Sequence, residues 1–154
     1  MNNNDILRRL RYTFDLNDDA MIGLFALAEA KRSRAEISNW LKKEDEPDFH
    51  LMQDRELAIF LNGLINDKRG KREGPQPALE QRLNNNIIFR KLKIALNLRD
   101  NDIMDIFHGI GKRIGPHELS SFFRKPGHAK YRPCQDQYLR NFLSGLQEKY
   151  RPAS

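Results

Sequence analysis

The chain repeats itself, and that repeat constrains the fold more than any single motif. Sliding the sequence along itself by 82 residues sets residues 3–69 against residues 85–151 without a gap, and 19 of the 67 pairs are identical. Asn3-Asn4 returns as Asn85-Asn86, Asp18 as Asp100, Gln53-Asp54 as Gln135-Asp136 and Gly63-Leu64 as Gly145-Leu146. Such self-similarity marks a duplicated unit. Residues 70–84 carry Gly70, Gly74, Pro75 and Pro77, the composition of a linker. A unit of 67 residues is small for a core of its own. The two copies are therefore expected to pack together, about a pseudo-two-fold axis.

Each copy reads as four helices. Ile6, Leu7, Leu10 and Phe14 fall on one helical stripe, mirrored by Ile88, Phe89, Leu92 and Leu96. A second helix is expected to start at Asp18 as its N-cap and to bury Met21, Leu24 and Phe25, with a twin starting at Asp100. The third helix is Ser33 to Lys43, where Ser33 and Glu36 have the spacing of a capping box. Its twin begins with Gly115 and Pro116, a proline placed where the missing N–H costs nothing. The fourth is expected from Asp54, and again from Asp136. No stretch alternates long enough for a strand. The expected fold is all-α: a tandem duplication of a four-helix unit with helix-turn-helix-like features, the two copies packed together.

Charge divides the copies. Residues 3–69 hold 11 Lys and Arg against 13 Asp and Glu, a net of −2, whereas residues 85–151 hold 13 against 6, a net of +7. Glu44, Asp45, Glu46 and Asp48 follow the third helix of the first copy, where the second has Pro126-Gly127-His128-Ala129-Lys130. Lys112 and Arg113 precede the second copy's third helix, and Arg124, Lys125, Lys130 and Arg132 follow it. These clusters bracket a helix of roughly 15 Å, a reach that suits neighbouring phosphates. Arg34, Lys42 and Lys43 are the corresponding candidates in the first copy.

Other motifs yield to plainer readings. Gly109-Ile110-Gly111-Lys112-Arg113-Ile114-Gly115 has the look of a phosphate-holding glycine hairpin, but it aligns without a gap on the helix formers Leu27 to Ser33. A loosened helix end is the simpler reading. The histidines, His50, His108, His117 and His128, lack the i, i+4 spacing of a helical zinc site. Cys134 aligns with Met52, which marks a packing position. A single cysteine, no leader-like start and no membrane-length apolar run lead to the expectation of a cytoplasmic protein without membrane contact. No catalytic residues, metal or cofactor are expected.

Asn3 to Tyr12, Asp18 to Met21 and Ser33 to Lys43, in that order, resemble the YehS-like bacterial family, a duplicated domain of unknown function. The resemblance implies a cytosolic, duplicated, helical protein and carries over no functional residues. Ser33, Ile37, Ser38 and Trp40 also resemble the Ser-x-x-x-Ile-Ser-x-Trp pattern of helix-turn-helix DNA-binding modules, although Lys31-Arg32 replaces the glycine and apolar residue usual at the turn. The expectation is a small non-enzymatic protein that binds DNA or RNA or acts in regulation. The alternative is a helical protein–protein interaction module, through a protein partner or self-association.

Overall fold

The computed structural model describes residues 1–152 and contains α1 (Asn3–Thr13), α2 (Asp18–Leu27), α3 (Arg34–Leu41), α4 (Asp54–Arg69), α5 (Asn85–Ala95), α6 (Asp100–His108), α7 (Pro116–Phe122) and α8 (Asp136–Tyr150). Among the described residues there is no strand, and no helix is long and apolar enough to cross a membrane. Four helices from each copy recur in the same order, as the duplication requires.

The two copies use the same local devices. Asn4 is buried in the first copy, where its Nδ2 donates to the carbonyls of Trp40 (2.9 Å) and His50 (2.8 Å) and its Oδ1 accepts from the Met52 N–H (2.9 Å). Asn86 repeats all three bonds, to Phe122 (3.1 Å), Arg132 (2.9 Å) and Cys134 (2.9 Å). A buried amide with three partners ties the first helix of each copy to the irregular segment before the fourth. Asn3 and Asn85 extend the tie, donating to Asp54 and Asp136 at 2.7 Å.

Helix ends follow suit. Ser33 Oγ accepts from the Glu36 N–H (3.1 Å) while Glu36 accepts from the Ser33 N–H (3.0 Å), completing the capping box. Gly115 and Pro116 begin α7 as expected. Asp18, however, is not the cap of α2: Asn17 is, accepting from the Ala20 N–H at 2.8 Å. Asp100 likewise sits inside α6, after Arg99, whose N–H donates to Asp102 at 2.7 Å. An aspartate in the first turn suits the helix dipole as well as a cap does, which is why the two positions look alike in sequence.

Close helix crossings are set by glycine. A Cβ on Gly63 of α4 would lie 1.8 Å from the Leu24 carbonyl oxygen of α2, and one on Gly145 of α8 would lie 2.4 Å from the Ile106 side chain of α6. Leu24 and Ile106 are themselves repeat mates.

The copies share one core through two reciprocal seams, α1 against α8 and α4 against α5. Arg9 of α1 donates to Ser144 Oγ of α8 (3.0 Å), and its mate Lys91 of α5 donates to Asn62 Oδ1 of α4 (2.6 Å). Ser144 is the repeat mate of Asn62. This reciprocity is that of the expected pseudo-two-fold. Trp40 and Phe122 are 6% and 2% exposed, so both third helices are anchored to the core by an aromatic.

Candidate nucleic-acid interface

The third helix of the first copy turns its apolar side inward, with Trp40 stacked on Phe25 at 5.7 Å between centroids. Two of its cations are engaged. Arg34 donates to Asp18 (3.2 Å) and Asp19 (2.9 Å). Lys42 donates to Asn39 Oδ1 (3.0 Å) and lies 3.9 Å from Asp48. Lys43 is exposed, followed by the exposed carboxylates Glu44, Asp45 and Glu46. The bonds from Ser33 hold the Glu36 carboxyl below its usual range, which keeps it anionic. The acidic loop and capping carboxylates thus sit among the basic side chains of this copy.

The second copy differs in kind. Lys112, Arg113, Arg124, Lys125, Lys130 and Arg132 are all exposed, and among the described residues none forms an ion pair. Arg132 is held by its own loop, donating to the Tyr131 carbonyl (3.0 Å), while its backbone N–H donates to the Ser121 carbonyl (3.2 Å). Lys112 and Arg113 lie before α7, and Arg124 and Lys125 lie after it. The helix between them has 7 residues, about 10 Å at 1.5 Å per residue, shorter than the sequence suggested. On its flank, Tyr138 donates to Glu118 at 2.5 Å, a bond that raises the phenol above its ordinary pKa.

The glycine-rich stretch is a helix end. Gly111 has φ +70°, and Glu29, its repeat mate, has φ +62°. The N–H groups of Lys112 and Ala30 close the same turn onto Phe107 and Phe25, each at 3.0 Å. Glycine at that position removes the strain that Glu29 carries in a left-handed conformation. Its backbone N–H groups face their own helix, with His108 accepting from Gly111 at 2.9 Å. Cys134 is buried at the position that mirrors Met52, and desolvation, with Asp136 and Glu118 nearby, pushes its thiol up to about 12. It stays protonated and fills space.

Sequence reasoning expected the copies to pack together but missed the hollows on their seams. The α4–α5 seam opens into a cleft of about 1120 Å³, whose walls include Arg55, Arg69, Arg90 and Lys91. The α1–α8 seam has a hollow of about 550 Å³, lined by Asp5, Arg8, Arg9, Tyr12 and Arg140 among others. The repeat carried a signal for this: Arg8 and Arg90 are mates, but Asp5 faces Ile87 in the alignment.

A family model described as a protein of unknown function, DUF1456, matches residues 3–70 and again residues 85–151. The chain belongs to this family. It is 43% identical over 148 residues to the uncharacterized protein YehS of Escherichia coli strain K12, an alignment covering 95% of this chain and 94% of that protein. No solved structure matches it.

Proposed function

We propose that the chain is a non-enzymatic nucleic-acid-binding or regulatory protein that contacts a polyanion through the loops flanking α7. The observation that carries the reading is the set of six exposed cations, Lys112, Arg113, Arg124, Lys125, Lys130 and Arg132, none of them neutralised by a neighbouring carboxylate. In the first copy the same helix has Arg34 and Lys42 beside acids, so the two copies present opposite fields. Exposed lysines and arginines free of ion pairs suit phosphate contacts that release counterions.

Fluorescence anisotropy with labelled duplex DNA and RNA tests it. Binding is expected at about 50 mM salt and weakens steeply as salt rises, with a slope of about −0.9 per phosphate neutralised on duplex DNA. Reversing Lys112, Arg113, Arg124 and Lys125 to Glu should abolish it with helicity unchanged. Reversing Lys31, Lys42 and Lys43 should do clearly less; Arg32 is spared because it holds Glu56 at 2.9 Å. Equal losses from the two sets, or no binding to either nucleic acid, would sink the reading and favour a protein-interaction module.

A further inference from the structure

We propose that the cleft on the α4–α5 seam binds a small phosphorylated organic molecule, with Arg69 and Arg90 on the phosphate. Its walls carry seven cationic side chains against two carboxylates, Glu29 and Glu80. Both carboxylates are engaged, Glu29 by Lys71 at 3.2 Å and Glu80 by Lys91 at 3.0 Å. Arg32 is held by Glu56. The rest, Lys31, Arg55, Arg69, Arg72 and Arg90, form no ion pair among the described residues. A concave surface lined by one sign of charge concentrates its field and draws an anion in.

The opposite seam shows what these arginines do when anions are supplied from within the chain. There Arg8 bonds the Asp5 carboxylate and donates to the Lys42 carbonyl at 2.7 Å. Arg151 lies 3.3 Å from Asp15, donates to the Tyr12 carbonyl at 2.7 Å and sits 4.1 Å from the Tyr12 ring centroid. Their mates are Arg90 and Arg69, and in the second copy the places of Asp5, Tyr12 and Asp15 are taken by Ile87, Ile94 and Asn97. The arginines are kept and their internal anions are gone. A planar guanidinium fork matches phosphate oxygens in two-bond geometry.

Three further observations narrow the ligand. The cleft volume of about 1120 Å³ lies just above the usual range of small-molecule pockets, roughly 300–1000 Å³. Ile65, Ile87 and Ile94 give it an apolar wall for the organic part, and Ile94 is 45% exposed. Glu80 Oε1 is buried there with no hydrogen-bond partner among the described residues, so it can accept from a ligand hydroxyl or amine. The linker supplies the outer wall. It is pinned by Asn66, which donates to the Leu27 carbonyl (2.9 Å) and to Gln76 Oε1 (3.4 Å), and by Asp54, which accepts from the Leu83 N–H (2.8 Å). A nucleotide meets all three conditions: phosphates, a flat apolar face and donor hydroxyls.

Equilibrium binding of a fluorescent ATP analogue, with unlabelled ATP, pyrophosphate and adenosine as competitors, tests the site. ATP and pyrophosphate should compete and adenosine should do so weakly. Arg69→Glu and Arg90→Gln should each weaken ATP by about ten-fold or more, the second removing the charge while keeping a polar side chain, a milder change for the fold. Glu80→Gln removes the charge that holds Lys91, so pyrophosphate should bind tighter, and ATP should gain less because a carboxylate acceptor becomes a neutral amide. Charge reversal at Lys112, Arg113, Arg124 and Lys125 should leave ATP binding intact. Absence of ATP and pyrophosphate binding in a protein that still binds DNA overturns the cleft and leaves the α7 reading standing. Loss of ATP binding on reversal of the α7 cations, with the cleft variants unaffected, overturns it as well.

Discussion

The two seams between the copies occupy equivalent positions and have opposite chemistry. On the α1–α8 side the contacts are polar: Arg9 on Ser144, Arg151 on Asp15 and Tyr12, and Phe14 against Tyr150 at 5.3 Å as the main aromatic pair. On the α4–α5 side Ala58, Ile59 and Ile65 of α4 stand where α8 has Arg140, Asn141 and Gln147. Ala58 and Ile59 are buried, at 0% and 5% exposure. A duplication inside one chain relaxes the demand for self-complementarity: each seam needs to match only once. One became an apolar joint with a basic rim, the other a more polar joint crossed by one ion pair, Arg151 on Asp15.

What the copies still share should be the most costly to remove. Asn4→Leu and Asn86→Leu each strand two carbonyls and an N–H in the interior, and each is expected to cost about 3–5 kcal/mol. Urea denaturation of the two variants should give equal losses to within about 1 kcal/mol. A clear inequality would mean that one copy depends less on this tie and that the units have diverged in their cores as well.

Next comes the apolar seam. Ile59→Ala should lose about 2–4 kcal/mol by removing a buried side chain. Asn141→Ala, at the mate position on α8, is expected within about 0.5 kcal/mol of the parent. Similar losses at both positions would show that the polar seam is as tightly packed as the apolar one. The smallest effect sharpens the contrast between the arginines. Arg151→Ala should cost about 1 kcal/mol, since it loses a cation–π contact and a partly exposed ion pair. Arg69→Ala should change the melting temperature little, because no partner is lost.

Much of this architecture was legible in the sequence. The gapless repeat gave the helix order, the stripe of Ile6, Leu7 and Leu10 gave the buried face, and Ser33 with Glu36 marked the start of α3 within a residue. Asp18 misled, because in Asn17-Asp18-Asp19 every residue is a good cap and only backbone geometry chooses Asn17. Surface charge was less legible. Arg34 and Arg113 look alike in sequence, yet Arg34 meets two aspartates from the preceding helix and Arg113 meets none. The partner of a long side chain is fixed by tertiary placement, here across 139 residues for Arg151 and Tyr12. The cleft was hidden for the same reason, although reading the repeat for what each arginine had lost would have pointed to it.

The reciprocal seams also describe a history. Contacts in which one unit's first helix meets the other's fourth, and the reverse, are the isologous contacts of a homodimer. Fusing two such subunits turns a concentration-dependent association into an intramolecular one, and the short connection from Arg69 to Asn85 sets the effective concentration. At the other end of the second unit, Arg151 lies against Tyr12 in the last turn of α1. A chain rejoined at its termini and opened within residues 70–84 would be a circular permutant with both halves intact, its ancestral subunit boundary restored on the opposite side.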